Sequence, residues 1–197
     1  MKNIDKMRCE QTVETSLIPF VCFGPITLRQ ANECLTAWGH KMGPCVRGNA
    51  QGWSHGLSFE GKLVAVTVTA TLIRDAVGNA PGLDRSNTIE LARLCASRPG
   101  LCRAAIRLWR EFVFPNLGYR YAISYQDSEL HNGNTYRFDG WKRISRSRSG
   151  TDSRSGRKGR DKWVWLWPPI QPDIVSESPS MPSSSIKNTA NATQNNR

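Results

Sequence analysis

The sequence predicts an α/β fold with a mixed, mainly antiparallel sheet flanked by helices. Three observations carry this. Strand-like and helix-like segments alternate in the order β-α-β-β-β-α-β-α-β over residues 17–169. Two β-rich runs meet at Glu60-Gly61-Lys62, a tight hairpin that forces antiparallel pairing and excludes an all-parallel sheet. Between Leu101 and Val113, the apolar residues Leu101, Ala104, Ala105, Leu108, Trp109, Phe112 and Val113 recur at the spacing of one helix face.

The elements follow in order. Leu17 to Ile26 is apolar and β-rich and stops at Gly24-Pro25-Ile26. Thr27 is placed to cap a helix whose apolar positions are Leu28, Ala31, Cys34, Leu35 and Trp38. After a Gly-rich loop come the two hairpin strands, of which Leu63 to Ile73, rich in Val and Thr, is the strongest β signal in the chain. "TIELARLCAS" is a strand that runs into Arg98-Pro99-Gly100 and the helix after it. "LGYRYAISYQD" is a strand, "SELHNGNTYRFDGW" a short helix ending at Gly140, and "KWVWLWP" an aromatic strand stopped by Pro168-Pro169. Period two puts Trp163, Trp165 and Trp167 on one face, to pack the sheet or to stack an extracted base.

The chain divides into a loose N-terminus (1–15), one domain (16–170) carrying a basic loop (142–162), and a Ser/Asn/Pro-rich tail (171–197) with almost nothing to bury. Net charge is +11, and the basic loop holds +7 of it, with nine Lys and Arg residues against Asp152 and Asp161. Such a patch is the footprint of a polyanion partner, here assigned to nucleic acid through Arg143, Arg146, Arg148, Arg154, Arg157, Lys158 and Arg160, or else a solvated basic surface. The six cysteines show no CxxC, the N-terminus is polar, and no apolar run reaches membrane length. We therefore expect a soluble cytoplasmic protein with reduced thiols and no membrane partner.

One polar cluster stands out. "SYQDSELHNGNTY" places Ser124, Tyr125, Asp127, His131 and Tyr136 at the end of a strand, where open α/β sheets seat their ligands. Asp127 either orients His131 as a base near neutral pH or caps a helix start. His131 with Asp127 could also hold a metal ion, though no spacing motif demands one. Glu90 is a candidate base for a nucleobase amine or an ion-pair partner, and alternation puts it on the face opposite Arg93. His40 and His55 read as structural.

The order of elements resembles the GNAT acyltransferases. In that family the fourth strand leads into a loop and helix N-terminus that hold the pyrophosphate of acyl-CoA, a place taken here by Arg93, Arg98, Gly100, Cys102 and Arg103. This loop carries one glycine, at a spacing different from the family's. A closer likeness covers roughly Trp38 to Trp141. Glu90-Leu91-Ala92-Arg93, Ser124-Tyr125-Gln126-Asp127 and His131-Asn132-Gly133-Asn134-Thr135-Tyr136 resemble the Mom-type DNA-modification proteins of phages and prophages, which are divergent GNAT-like proteins. The resemblance implies transfer of an acyl-type or carbamoylmethyl group to an adenine amine, protecting DNA from restriction. Acyl-CoA would be the cofactor, Tyr136 the acid for the leaving group, and double-stranded DNA the partner, with a homodimer left open. Two other classes stay open: an acyl-CoA N-acetyltransferase for a small-molecule or protein amine, and a non-catalytic GNAT-like DNA-binding module. Because the tail offers nothing to a core, truncation after Gln171 should leave the melting temperature unchanged; a large fall would show that the tail docks on the domain.

Overall fold

A computed structural model describes residues 20–50, 52–78, 80–147, 159 and 161–168. Seven strands form one sheet: β1 (Val21–Ile26), β2 (Ser54–Phe59), β3 (Lys62–Thr71), β4 (Thr88–Ala96), β5 (Tyr121–Asp127), β6 (Lys142–Ser147) and β7 (Lys162–Trp167). Their order is β1-β2-β3-β4-β5-β7-β6. Every neighbouring pair is antiparallel except β4 and β5, which run parallel. The expected mixed, mainly antiparallel sheet is therefore present.

Local chemistry explains the ends. Helix α1 (Leu28–Ala37) starts in a reciprocal cap: Thr27 Oγ1 accepts the Gln30 N–H at 3.2 Å and Gln30 Oε1 accepts the Thr27 N–H at 2.9 Å. The β2–β3 hairpin closes over Glu60 (φ 49°) and Gly61 (φ 74°), and two successive positive φ angles give a turn whose twist matches the strands. Helix α2 (Leu101–Leu108) is shorter than its apolar pattern, because Trp109–Val113 widens into a π turn and Phe114–Asn116 tightens into a 3₁₀ turn. Pro115 lacks an N–H and its ring clashes with the preceding turn, so an α-helix cannot continue there.

Two further readings are corrected. The basic segment is not a loop from its start: Lys142–Ser147 is the edge strand β6, paired along β7. None of its residues is buried, and its charges hide the strand period. The segment after β5 is a turn followed by the four-residue α3 (Asn134–Arg137), so His131 lies in the turn and not at a helix start. The first-strand residues Leu17–Pro19, the N-terminal segment and the tail lie outside the described residues.

The two faces of the sheet are covered differently. On one, α2 and the π turn pack Ile106, Trp109 and Val113 against Ile89, Leu91, Ala122, Trp141 and Trp165. Trp109 is fully buried and its Nε1 donates to Thr69 Oγ1 at 2.8 Å, so the indole loses no hydrogen bond on burial. Trp163, Trp165 and Trp167 all face this side as core, which favours packing over base stacking. On the other face, α1 lays Ala31 and Leu35 on Val66, Val68 and Ala70. The β3–β4 connection covers Ile123, Val164 and Leu166 with Leu72, Val77 and Leu83.

The sheet opens at its centre. β4 and β5 pair only at Thr88–Tyr121, Ile89–Ala122 and Glu90–Ile123, although both strands continue. Just beyond, the β3–β4 register jumps from Thr69↔Leu91 to Val68↔Arg93, leaving Ala92 as a bulge. A bulge bends its strand, and here it turns β4 away from β5. The extra residue also shifts the alternation, which bears on Arg93 below.

Gly133 (φ 77°) closes the turn after β5, and a Cβ there would lie 2.5 Å from Trp165 Cζ2 and 2.8 Å from Gln126 Oε1. Gly133→Ala should cost about 2 to 4 kcal/mol from clash and backbone strain together, a fall of roughly 5 to 15 °C in Tm. Gly118 (φ 73°) has open space at its Cβ, so Gly118→Ala should cost only about 1 kcal/mol. Equal melting curves for the two variants would contradict the close packing at Gly133.

Candidate functional site

The divergence of β4 and β5 leaves a slot, a cavity of about 170 Å³. Leu91, Ala92, Arg93 and Leu94 form one lip and Ser124 to Asp127 the other, with His40, Met42, Cys102, His131 and Tyr136 around them. Ser124 Oγ reaches across and donates to the Leu91 carbonyl at 2.9 Å, where a ladder hydrogen bond would otherwise be. The Tyr136 hydroxyl is 2.9 Å from Ser124 Oγ. Since the serine proton is committed to Leu91, the phenol donates to the serine.

Tyr136 is seated by aromatic packing. Its ring stacks on Trp165 (centroids 5.4 Å apart, 15° between planes) and meets Trp141 edge-on at 5.7 Å. The residue is half-buried, but its hydroxyl end points inward. Burial pushes its pKa up to about 12; the Ser124 hydrogen bond lowers it somewhat, while Cys102 and Glu90 raise it. Tyr136 therefore holds its proton throughout the physiological range. Burial and then Cys95 push the Cys102 thiol up to about 11, so it stays protonated as well.

His40 has the opposite character. Burial, then Arg93, then His131 lower its pKa to about 4, so its imidazole is neutral at pH 7. Its Nδ1 is buried with no hydrogen-bond partner among the described residues. The sequence alone makes His40 structural; its position just after the Gly39 turn (φ 65°) that ends α1 is the one signal that it reaches the slot.

The structure separates the remaining sequence candidates. Ser124, Tyr136, Asp127 and His131 come together around the slot. Asp127 Oδ1 accepts the N–H groups of Glu129 (3.0 Å) and Leu130 (3.3 Å), and its carbonyl accepts the His131 N–H at 3.3 Å. It thus caps the turn that carries the exposed His131. Gln126, which sequence reasoning misses, pins the same turn: Nε2 donates to the carbonyls of Asp127 and His131, and Oε1 accepts from Trp165 Nε1 at 2.9 Å. Glu90 does not line the slot; it is buried and accepts from Arg47 Nη1 at 2.7 Å. Arg93 is not on the face opposite Glu90. The bulge at Ala92 brings both to the α1 side, where Arg93 donates to the carbonyls of Gly43 (3.3 Å) and Ala92 (2.8 Å).

The start of α2 fits a phosphate. Gly100 is left-handed (φ 87°) with no side-chain cap, so the first N–H groups of the helix point outward at the positive end of its dipole. Nothing lies within 4 Å of where a Gly100 Cβ would sit. Arg98 and Arg103 are exposed beside it, Arg103 lying over the Phe138 ring at 5.1 Å. Cys102, the second residue of the helix, lines the slot. Among the described residues no three His, Cys, Asp or Glu side chains converge on a metal-sized site, and no helix is long and apolar enough to cross a membrane. At the sheet edge, Arg143 and Arg146 lie 4.2 and 5.4 Å over the Trp163 ring, and Arg146 pairs with Asp161 at 3.1 Å. Arg148, Arg154, Arg157, Lys158 and Arg160 lie outside the described residues.

Neither a protein-family model nor a curated protein matches the chain. Solved structures do. A probable acetyltransferase from Staphylococcus epidermidis superposes with a TM-score of 0.54 at 10% identity, over 75% of this chain and 98% of that one. NAA60 of Arabidopsis thaliana in complex with acetyl-CoA gives 0.51 at 11% identity, over 75% and 98%. An uncharacterized protein from Bacillus halodurans gives 0.51 at 10% identity, over 76% and 90%. The chain has the GNAT fold.

A half-buried histidine held neutral makes stability pH-dependent. The folded pKa of His40 lies below its ordinary value of 6.5, so the unfolded chain takes up a proton first as pH falls. Stability should therefore drop from about pH 6.5 and level off near pH 4. His55 is shifted the same way by burial, so His40→Gln should flatten the drop without abolishing it. Urea midpoints for both proteins at pH 7 and pH 5 check this; equal losses would contradict a half-buried neutral His40.

Proposed function

We propose that this chain is a GNAT-fold transferase that moves an acyl-type or carbamoylmethyl group onto an amine, and that the amine belongs to adenine in double-stranded DNA. The observation that carries the transferase reading is the Ser124–Tyr136 pair set in the slot between β4 and β5, beside the uncapped start of α2. Acyl-CoA, when bound, would supply an activated thioester carbon. The Leu101 and Cys102 N–H groups and the positive end of α2 would hold its pyrophosphate, with Arg98 and Arg103 alongside.

The chain's own groups are poised for proton transfer. Tyr136 Oη keeps its proton at neutral pH and is placed to give it to a departing atom in the slot. Ser124 Oγ holds the phenol in place while its own proton stays on the Leu91 carbonyl, so the phenol turns its O–H from Ser124 to reach the departing atom. His40, neutral at pH 7, can take a proton from the incoming amine. Asp127 and Gln126 hold the His131 turn against the slot and so shape its mouth.

DNA as the acceptor is supported by the sequence resemblance, by the +11 charge, and by the two arginines fixed on Trp163 at the root of the basic segment. The structural neighbours favour acetyl-CoA as the donor, since NAA60 was solved with it, and a second reading gives the amine to a protein or small molecule. Mass spectrometry of nucleosides from DNA of cells making the protein separates the two. A mass-shifted deoxyadenosine supports DNA modification, and unmodified DNA contradicts it.

Tyr136→Phe keeps the ring stacked on Trp165 and removes one hydroxyl. Fold and DNA affinity should survive while modification falls by roughly two to four orders of magnitude. Asp127→Asn should cost about 1 kcal/mol or less of stability, since Asn caps nearly as well as Asp; a large drop in modification with that mild cost would give Asp127 a part beyond capping. Full modification by Tyr136→Phe would remove the phenol from the chemistry. Neutralising Arg143 and Arg146 should weaken DNA binding and reduce the slope of log K against log salt by roughly 0.9 for each phosphate that is no longer neutralised. An unchanged slope would make β6 a solvated edge.

A further inference from the structure

The α1 side of the slot holds a group of charges that the transfer chemistry does not use. Strand alternation puts Glu90 of β4, Tyr125 of β5 and Lys162 of β7 on this side, because their neighbours Ile89, Leu91, Ala122, Trp163 and Trp165 face α2. The Ala92 bulge adds Arg93. Lys162 sits opposite Asp127 in the β5–β7 register, so it lies next to a residue of the slot's lip and at the root of the basic segment.

The charges do not balance. Glu90 is taken by Arg47 at 2.7 Å. Asp127 spends Oδ1 on the turn N–H groups of Glu129 and Leu130. Arg93 is buried yet finds, among the described residues, only carbonyl oxygens, those of Gly43 and Ala92. Lys162 is half-buried and makes no ion pair among the described residues. Two cations on one partly desolvated face, in ion-pair contact with no carboxylate among the described residues, repel one another and lose hydration; an anion between them reverses both effects.

We propose that Arg93, Lys162 and the Tyr125 hydroxyl form a phosphate-binding subsite on the α1 side of the slot, and that the acceptor enters with a phosphate group held there. A guanidinium, an ammonium and a phenol suit a tetrahedral oxyanion with several acceptor oxygens. Arg93 and Tyr125 line the slot itself, so a phosphate at this subsite stays attached to a group reaching inside. The electrostatics agree. Burial and then Arg93 lower the pKa of Lys162, with Glu90 and Asp127 only partly opposing them and Arg47 adding to them. Burial lowers that of Arg93, with Arg47 adding to it and Cys45 and Glu90 opposing. The subsite rests on the nucleotide reading of the acceptor given above, and it names the part of the nucleotide that is recognised.

The test is binding, independent of turnover. Deoxyadenosine 5′-monophosphate, deoxyadenosine and succinate are titrated into the full chain by calorimetry, with inorganic phosphate as competitor. The monophosphate should bind at least about tenfold tighter than the nucleoside, a difference of about 1.4 kcal/mol, and phosphate should compete where succinate does not. Lys162→Met should close most of that gap, and Lys162→Arg should keep it. A short DNA duplex should show the same dependence on Lys162 if the phosphate comes from a backbone; dependence with the mononucleotide alone assigns the site to free nucleotides. Equal binding of nucleotide and nucleoside by the wild-type protein, an unchanged gap in Lys162→Met, or competition by succinate as strong as by phosphate would overturn the subsite. Modified DNA in cells together with no phosphate preference would contradict the subsite alone. A phosphate preference with unmodified DNA would contradict the DNA-modification reading alone.

Discussion

Everything at the site follows from the short pairing between β4 and β5. Three residue pairs hold the two halves of the sheet together, and then the strands part. Parting costs backbone hydrogen bonds, which cannot be left unmade inside a protein. Ser124 Oγ satisfies the Leu91 carbonyl and so stabilises the open arrangement. The same hydroxyl receives the Tyr136 phenol. One side chain thus both props the sheet open and anchors the hydroxyl proposed above as the acid.

The slot joins two faces of different character. Towards α2 the walls are aromatic and neutral, where burial keeps Tyr136 and Cys102 protonated. His40 is kept unprotonated by the same desolvation acting on a base. At neutral pH the slot therefore holds a protonated phenol and thiol beside an unprotonated imidazole. Towards α1 the walls are cationic, and the Arg47–Glu90 pair neutralises only part of that charge. A donor entering past α2 and an anionic acceptor entering past α1 would meet in the middle of the sheet.

Much of this is legible in the sequence. The alternation of segments, the Glu60-Gly61 hairpin and the Thr27 cap rest on local rules that tertiary packing does not override. The Ser124 to Tyr136 cluster is visible because polar groups crowd the end of an apolar strand. What stays hidden is set by non-local geometry. β6 is hidden because an exposed edge strand carries no apolar alternation. Simple alternation puts Arg93 on the wrong face because a bulge of one residue reverses the pattern beyond it. His40 escapes notice because only the fold brings the end of α1 to the slot. Lys162 looks like one more charge in a basic run, and only the β5–β7 register sets it opposite Asp127.

The most direct measurement of the central claim, that the parting of β4 and β5 is the binding slot, is a map of backbone amide shifts in the labelled protein as CoA is added. The expected result is a set of perturbations confined to residues 98–103 at the start of α2 and to the two lips, residues 91–94 and 124–136, with β1 and β2 unaffected. Perturbations that bypass both lips, or that gather at the β1 edge of the sheet, would contradict it.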